Sequence, residues 1–103
     1  MKIMEKMKID PEGFFEILWT SDKSQVATMV LKPGQESSSE KEYHKADQIT
    51  YCLEGEGTVT VETKKIILKE KELIALKAKE PHHFKNTGKK DWKVLILYAP
   101  PEY

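Results

Sequence analysis

Apolar residues along this chain come in short bursts, at 14–19, 26–31, 48–53, 58–62, 66–68, 73–76, 82–84 and 92–98. Turn-forming stretches separate them, among them Lys32-Pro-Gly34, Glu54-Gly-Glu-Gly57 and Thr87-Gly-Lys-Lys-Asp91. Bursts of this length at spacings near ten residues predict an all-β sandwich or barrel of about nine short strands, with little or no helix. Thr58-Val-Thr-Val-Glu62 alternates with period two, as a half-buried strand should. The first nine residues, with Ile3, Met4 and Met7, read as a helical turn or as an edge strand. The ending Ala99-Pro-Pro-Glu-Tyr103 cannot continue a ladder, because its two prolines lack N–H donors. It is expected to cross the barrel surface as an extended arm.

Composition narrows the picture. At 103 residues the chain fits one domain, taken as 1–103. Seventeen basic residues balance seventeen acidic ones, so there is no net basic stripe for nucleic acid or an anionic membrane. Near-zero net charge favours association. A homodimer is expected, because a single small barrel has edge strands to protect and two-fold packing is the commonest closed symmetry. Every basic residue is Lys, and amides are scarce. That profile fits a thermophile; it also fits an AT-rich genome. Cys52 is the single cysteine, which excludes an intrachain disulfide. The charged opening MKIMEKMKI has no apolar core of a signal peptide, and no apolar run approaches the roughly 20 residues of a membrane helix. The cytoplasm is the expected compartment.

Candidate chemistry centres on three histidines, His44, His82 and His83. The first stands in Leu31-Lys-Pro-Gly34, Glu42-Tyr-His44-Lys-Ala-Asp-Gln48 and Tyr51-Cys-Leu-Glu-Gly-Glu-Gly57. The others stand in Leu73-Ile-Ala-Leu-Lys77-Ala-Lys-Glu-Pro-His82-His-Phe-Lys-Asn86. Over about residues 26–98 this resembles the cupin superfamily. The resemblance implies a double-stranded β-helix, or jelly-roll barrel, with a polar interior site. Gly34 and Gly55 fit the two glycines of the first cupin motif. Counting back from Gly55 places Gln48 where cupins usually carry Glu, His44 at the second His and Glu42 at the first. His82 and Asn86 match the end of the second motif, whose Gly, Pro and Gly are replaced by Lys71, Lys77 and Lys79. Cupins usually hold a divalent metal with three His and one Glu; the corresponding set here is Glu42, His44, Gln48 and His82. Asp47-Gln48 and the ending Leu97-Tyr-Ala-Pro-Pro-Glu102 also look like a group of small stand-alone cupins loosely named after sugar-phosphate isomerases.

The residues support such a site on their own terms. Glu42 and His44 are two apart and share a strand face, and Gln48 shares that parity if the strand stays in register. His82 comes from a distant strand and would close the site from across the barrel. Two imidazoles with carboxylate and amide oxygens suit Mn, Fe, Co, Ni or Zn, with positions open for water or a small-molecule ligand. Gln48 also fits a hydrogen-bonding core amide, and Glu42 a solvated carboxylate. Cys52 shares parity with Gln48, as pocket lining or as a small buried hydrophobe. Phe84 is the other expected pocket-lining residue. His83 should face away from His82, and Lys77 and Lys79 should be solvated. Two functions stay open: a metal-dependent enzyme, such as an isomerase or oxygenase, and a non-enzymatic, metal-free cupin that binds a sugar or another small ligand. A barrel kept only for dimerisation is a third.

Overall fold

Each of the eight apolar bursts becomes a strand in the computed structural model, which describes residues 4–37 and 45–103. The strands are β1 (Phe15–Thr20), β2 (Gln25–Leu31), β3 (Asp47–Glu54), β4 (Glu56–Val61), β5 (Lys64–Lys69), β6 (Leu73–Leu76), β7 (His82–Lys85) and β8 (Trp92–Ala99). That is one fewer than expected, and no helix occurs among the described residues. Residues 4–9, the described part of the opening nonapeptide, form neither the helical turn nor the edge strand foreseen for it. Met7 and Ile9 instead line a hollow with Leu18, Trp19 and Val26.

All pairings are antiparallel. A five-stranded sheet has the order β1-β2-β8-β3-β6, and a three-stranded sheet the order β5-β4-β7. Period-two alternation decides which side chains meet between them. On β8, Trp92, Val94, Ile96 and Tyr98 are buried, while Lys93, Leu95 and Leu97 between them are half-buried. The first set joins Ala27, Met29, Leu31 and Cys52 from its own sheet and Val59, Leu68 and Phe84 from the other in one core. The Phe84 and Trp92 rings stack at 5.7 Å across it. Buried aromatic rings of this kind contribute about 3–5 kcal/mol each by truncation.

The corner between the sheets is the Glu54-Gly-Glu-Gly57 turn. β3 and β4 are almost continuous, and the chain changes sheet at Gly55, whose φ is +81°. A Cβ there would lie 2.4 Å from the Asp91 carbonyl oxygen. At Gly57 a Cβ would come within 2.1 Å of the Trp92 ring. The first glycine makes the bend and the second lets the indole lie flat against β4.

The two outer faces differ. The outer positions of the small sheet include Thr58, Thr60, Lys65, Lys69, His83 and Lys85. Those of the large sheet include Trp19, Ile49, Tyr51, Leu73, Leu95 and Leu97. Ile49 and Leu73 are exposed there.

Candidate functional site

Register brings the polar residues of the large sheet's inner face into one row: Gln25 opposite Tyr98, Tyr98 opposite Gln48, and Gln48 opposite Leu76. Gln48 and His82 are both buried. Both line a cleft of about 170 Å³, together with Phe14, Phe15, Met29, Ser37, Phe84, Ile96, Tyr98 and Tyr103. Gln48 of β3 and His82 of β7 thus line one cleft. Glu42 and His44 lie outside the described residues. Among the described residues no three His, Cys, Asp or Glu side chains gather as a metal cluster.

His82 is oriented by its own strand start. Its Nδ1 lies 3.1 Å from the Glu80 carbonyl oxygen. A carbonyl only accepts, so Nδ1 donates in this contact, and in a neutral ring the lone pair is then on Nε2. This is how an imidazole is held for ligation, with its other nitrogen fixed by a backbone acceptor. The His82 and Phe84 rings meet edge to face at 5.9 Å, since both project inward from β7. The loop before β7 is tied to β3, where the Ala78 N–H donates to Asp47 Oδ1 at 2.9 Å. On the other side, the Phe84 N–H donates to Ser37 Oγ at 3.2 Å and the Ser37 N–H to the Phe84 carbonyl at 2.9 Å. His83 faces away from the cleft, as expected, with Nε2 2.6 Å from Glu36 Oε1. Lys77 and Lys79 are exposed, also as expected.

Gln48 makes one side-chain hydrogen bond. Its Nε2 donates to Thr50 Oγ1 at 3.0 Å. Its Oε1 is buried with no partner among the described residues. A buried acceptor left unpaired costs about 1–3 kcal/mol. Thr28 Oγ1 on β2 is in the same condition, and a buried group of this kind is completed by a water, an ion or a ligand.

Cys52 is not on the cleft wall. It is fully buried deeper in the core, where the Trp92 Nε1–H donates to its sulfur at 3.2 Å and the Gly55 carbonyl lies at 3.3 Å. Parity gave the correct face, but the Gly55 corner brings Trp92 over it. Burial pushes the thiol up, against the smaller lowering effects of the Trp92 and Glu54 hydrogen bonds. Phe84 does line the cleft, as expected. Asn86 has another task. It is buried, and its Nδ2 donates to the carbonyls of Leu31 and Lys90 at 2.7 and 2.8 Å, while Oδ1 accepts from the Gly88 N–H at 2.8 Å.

The aromatic wall was missed in the sequence. Residues 100–103 leave the β8 ladder, as the prolines required, and return to the cleft. Buried Gln25 holds them there. Its Oε1 accepts from the N–H groups of Glu102 and Tyr103 at 3.1 and 2.9 Å, and its Nε2 donates to Thr20 Oγ1 at 3.0 Å. The Ala46 N–H donates to Glu102 Oε1 at 3.1 Å. Tyr103 then meets Phe15 at 5.2 Å and Tyr98 at 5.6 Å, both edge to face. The available signal was a second glutamine, Gln25, at the end of a strand that must be buried on both faces.

Known proteins with the same pattern extend this description. A family model described as "Cupin domain" matches residues 27–98. An uncharacterized protein of Methanocaldococcus jannaschii is 30% identical over 79 residues, covering 77% of this chain and 62% of that protein. A mannose-1-phosphate guanylyltransferase of Sinorhizobium fredii is 30% identical over 81 residues, covering 79% of this chain and 16% of the enzyme. The chain thus spans less than two thirds of the length of either curated relative. A crystal structure of a Bacillus halodurans protein superposes with a TM-score of 0.83 at 28% identity, covering 88% of this chain and 73% of that one.

Proposed function

The chain belongs to the cupin domain family, and on that premise we propose that the cleft between β3 and β7 binds a divalent transition metal and, beside it, a small molecule. The observation that carries this reading is the buried Gln48 Oε1 without a partner among the described residues, in the same cleft as His82. Gln48 Oε1 and His82 Nε2 would be two of the ligands, with His44 and Glu42 completing the set. An amide oxygen and imidazoles suit Mn, Fe, Co, Ni or Zn. When bound, such an ion supplies Lewis acidity and a template for orienting a substrate. The chain's own part is to hold the His82 ring through Glu80, to aim the Gln48 oxygen through Thr50, and to exclude water with Phe84, Tyr98 and Tyr103.

A metal-free binding cleft is the second reading, favoured by the neutral Gln48 where the family usually has Glu. Elemental analysis of untagged protein, followed by titration with Mn²⁺ and Zn²⁺, separates the two. Under the metal reading, wild-type protein takes up one ion. His82→Ala weakens uptake by about 100-fold or more, beyond the 10–100-fold that outer-shell changes produce. Gln48→Glu tightens it by adding a charged oxygen, and Lys90→Ala, remote from the cleft, leaves it unchanged. A wild-type protein that takes up no metal overturns this reading in favour of the metal-free one.

The homodimer is proposed through the outer face of the large sheet, around Ile49, Leu73 and Leu97. A second copy is the fitting occupant, since a chain with seventeen charges of each sign meets no net repulsion from itself. Light scattering at micromolar concentration should give twice 11.9 kDa; a monomer there overturns the proposal.

A further inference from the structure

β5 is an edge strand. In the order β5-β4-β7 one of its sides is paired, and among the described residues no strand pairs with the other. Its sequence, Lys-Lys-Ile-Ile-Leu-Lys, is exposed at every position but Leu68. Ile66 and Ile67 are 45% and 53% exposed, and they project to opposite faces of the sheet, since Ile66 stands opposite buried Val59 and Ile67 opposite Thr58. An unpaired edge with exposed isoleucines is a template for a further strand. None of these residues lines the Gln48–His82 cleft, and the strand belongs to the other sheet from the proposed dimer face. We infer that the free edge of β5 docks an extended acidic peptide segment of another protein, added to the small sheet as a further strand.

Backbone geometry supplies the attachment. The two-residue turn Glu62-Thr63 closes on Val61 and Lys64 as a hydrogen-bonded pair. Lys64, Ile66 and Leu68 therefore turn their N–H and C=O groups toward β4, and Lys65, Ile67 and Lys69 turn theirs outward. Lys69 follows this alternation: its N–H donates to Glu72 Oε1 at 2.8 Å, and its carbonyl accepts from the Glu72 N–H at 3.0 Å. Lys65 and Ile67 are left to bond an incoming backbone. Charge selects the partner. Lys65 and Lys69 share the outer face about 13 Å apart along the strand. The ion pairs among the described residues use Lys32, Lys90 and Lys93 and leave these two unengaged. On the paired side, Glu56 already stands opposite Lys69. A strand with carboxylates four residues apart would repeat that pattern on the free side, with apolar residues between them to cover Ile66. A second copy fits less well. Two-fold pairing about Ile67 sets Lys65 opposite Lys69, and pairing about Ile66 leaves the two copies of Lys65 diagonal; opposed like charges are destabilising. The lysines thus deter self-pairing of the edge and favour an acidic strand.

Amide NMR titration of isotope-labelled protein tests this. The probe is the end-capped peptide Glu-Val-Thr-Val-Glu, and Lys-Val-Thr-Val-Lys is its charge-reversed counterpart. The acidic peptide should give saturable shifts over residues 64–69 with a Kd of about 1 mM or tighter. It should also slow exchange of the Lys65 and Ile67 amide protons. Lys65→Glu combined with Lys69→Glu should weaken the acidic peptide about tenfold and admit the basic one, because each opposed pair changes from attraction to repulsion. Ile67→Pro removes an outward donor without touching the bonds to β4, and should abolish binding. If that variant fails to fold, the double lysine variant carries the test. The inference is overturned by a lack of saturable shifts at millimolar peptide, by equal binding of the two peptides, or by shifts centred on β1 or β6, the edges of the large sheet. Binding that survives Ile67→Pro in a folded protein overturns it too. Self-association abolished by Ile67→Pro would make a second copy the occupant, and would likewise overturn it.

Discussion

Two of the concave regions among the described residues are of opposite character. The larger, about 610 Å³, lies where Gly55 and Glu56 approach Lys69, Glu70 and the 87–90 turn. The smaller is the Gln48–His82 cleft of about 170 Å³. In the larger, charges answer one another. Glu70 Oε1 accepts from Lys90 Nζ at 3.2 Å and from the Gly55 N–H at 3.1 Å, and Lys90 and Glu70 are both well exposed. In the smaller, a buried amide oxygen is unpaired among the described residues and the walls are aromatic. Volume alone would choose the other region than the one proposed above. Satisfied, solvated polar groups are what a loop junction needs to hold its shape. A buried acceptor awaiting a partner is what a binding site leaves open.

The comparison breaks most forcefully at Asn86, the junction residue behind the larger hollow. Asn86→Ala removes two donated bonds and one accepted bond at a buried position, leaving the carbonyls of Leu31 and Lys90 short of a donor. A loss of about 3 kcal/mol is expected, since each net bond contributes about 1 kcal/mol and unpaired buried groups add to that. Urea denaturation measures it as a lower midpoint at unchanged slope. The variant that remains folded should take up metal like wild type, because Asn86 follows the end of β7 and is not among the residues that line the cleft. If Asn86→Ala lost metal as His82→Ala does, the two regions would not be separable.

The sequence carried much of this difference. All eight bursts became strands because alternation on β8 and β4 leaves no other face to bury. The Glu-Gly-Glu-Gly turn marked the corner because only glycine tolerates both Gly55's positive φ and Trp92's approach to Gly57. Even the motif's replaced glycines kept their backbone shape. Lys71 and Lys79 both have φ of 69°, a left-handed conformation that costs a residue with a Cβ about 1 kcal/mol. The resemblance therefore held at the level of turns where residue identity had changed. The first nine residues were ambiguous because their apolar positions fit neither period. The aromatic wall was out of reach because Tyr103 arrives through contacts with Gln25 and Phe15, distant in sequence, that no local pattern encodes. Asn86 matched a motif position, but spacing could not reveal that its task is to fasten three backbone groups, at the end of β2 and in the 87–90 turn.

Glu70 gives the smallest effect and the sharpest mark of a satisfied charge. The Gly55 N–H bond, and then the bond and charge of Lys90, hold its carboxyl below the ordinary glutamate range. A carboxyl whose folded value is lowered stabilises the fold fully above its unfolded value, roughly 4.3, and loses that contribution as pH falls through the folded value. The difference in thermal midpoint between wild type and Glu70→Gln should therefore be constant near neutral pH and shrink as pH falls below the ordinary glutamate range. Glutamine keeps an oxygen for the Gly55 N–H but not the charge. What survives in high salt consequently separates the two causes, because salt screens the exposed Lys90 pair more than a short bond to a backbone N–H. A difference abolished by salt would assign the effect to Lys90, contrary to the leading role of Gly55. A difference that did not change with pH would mean that Glu70 supports the corner by shape alone.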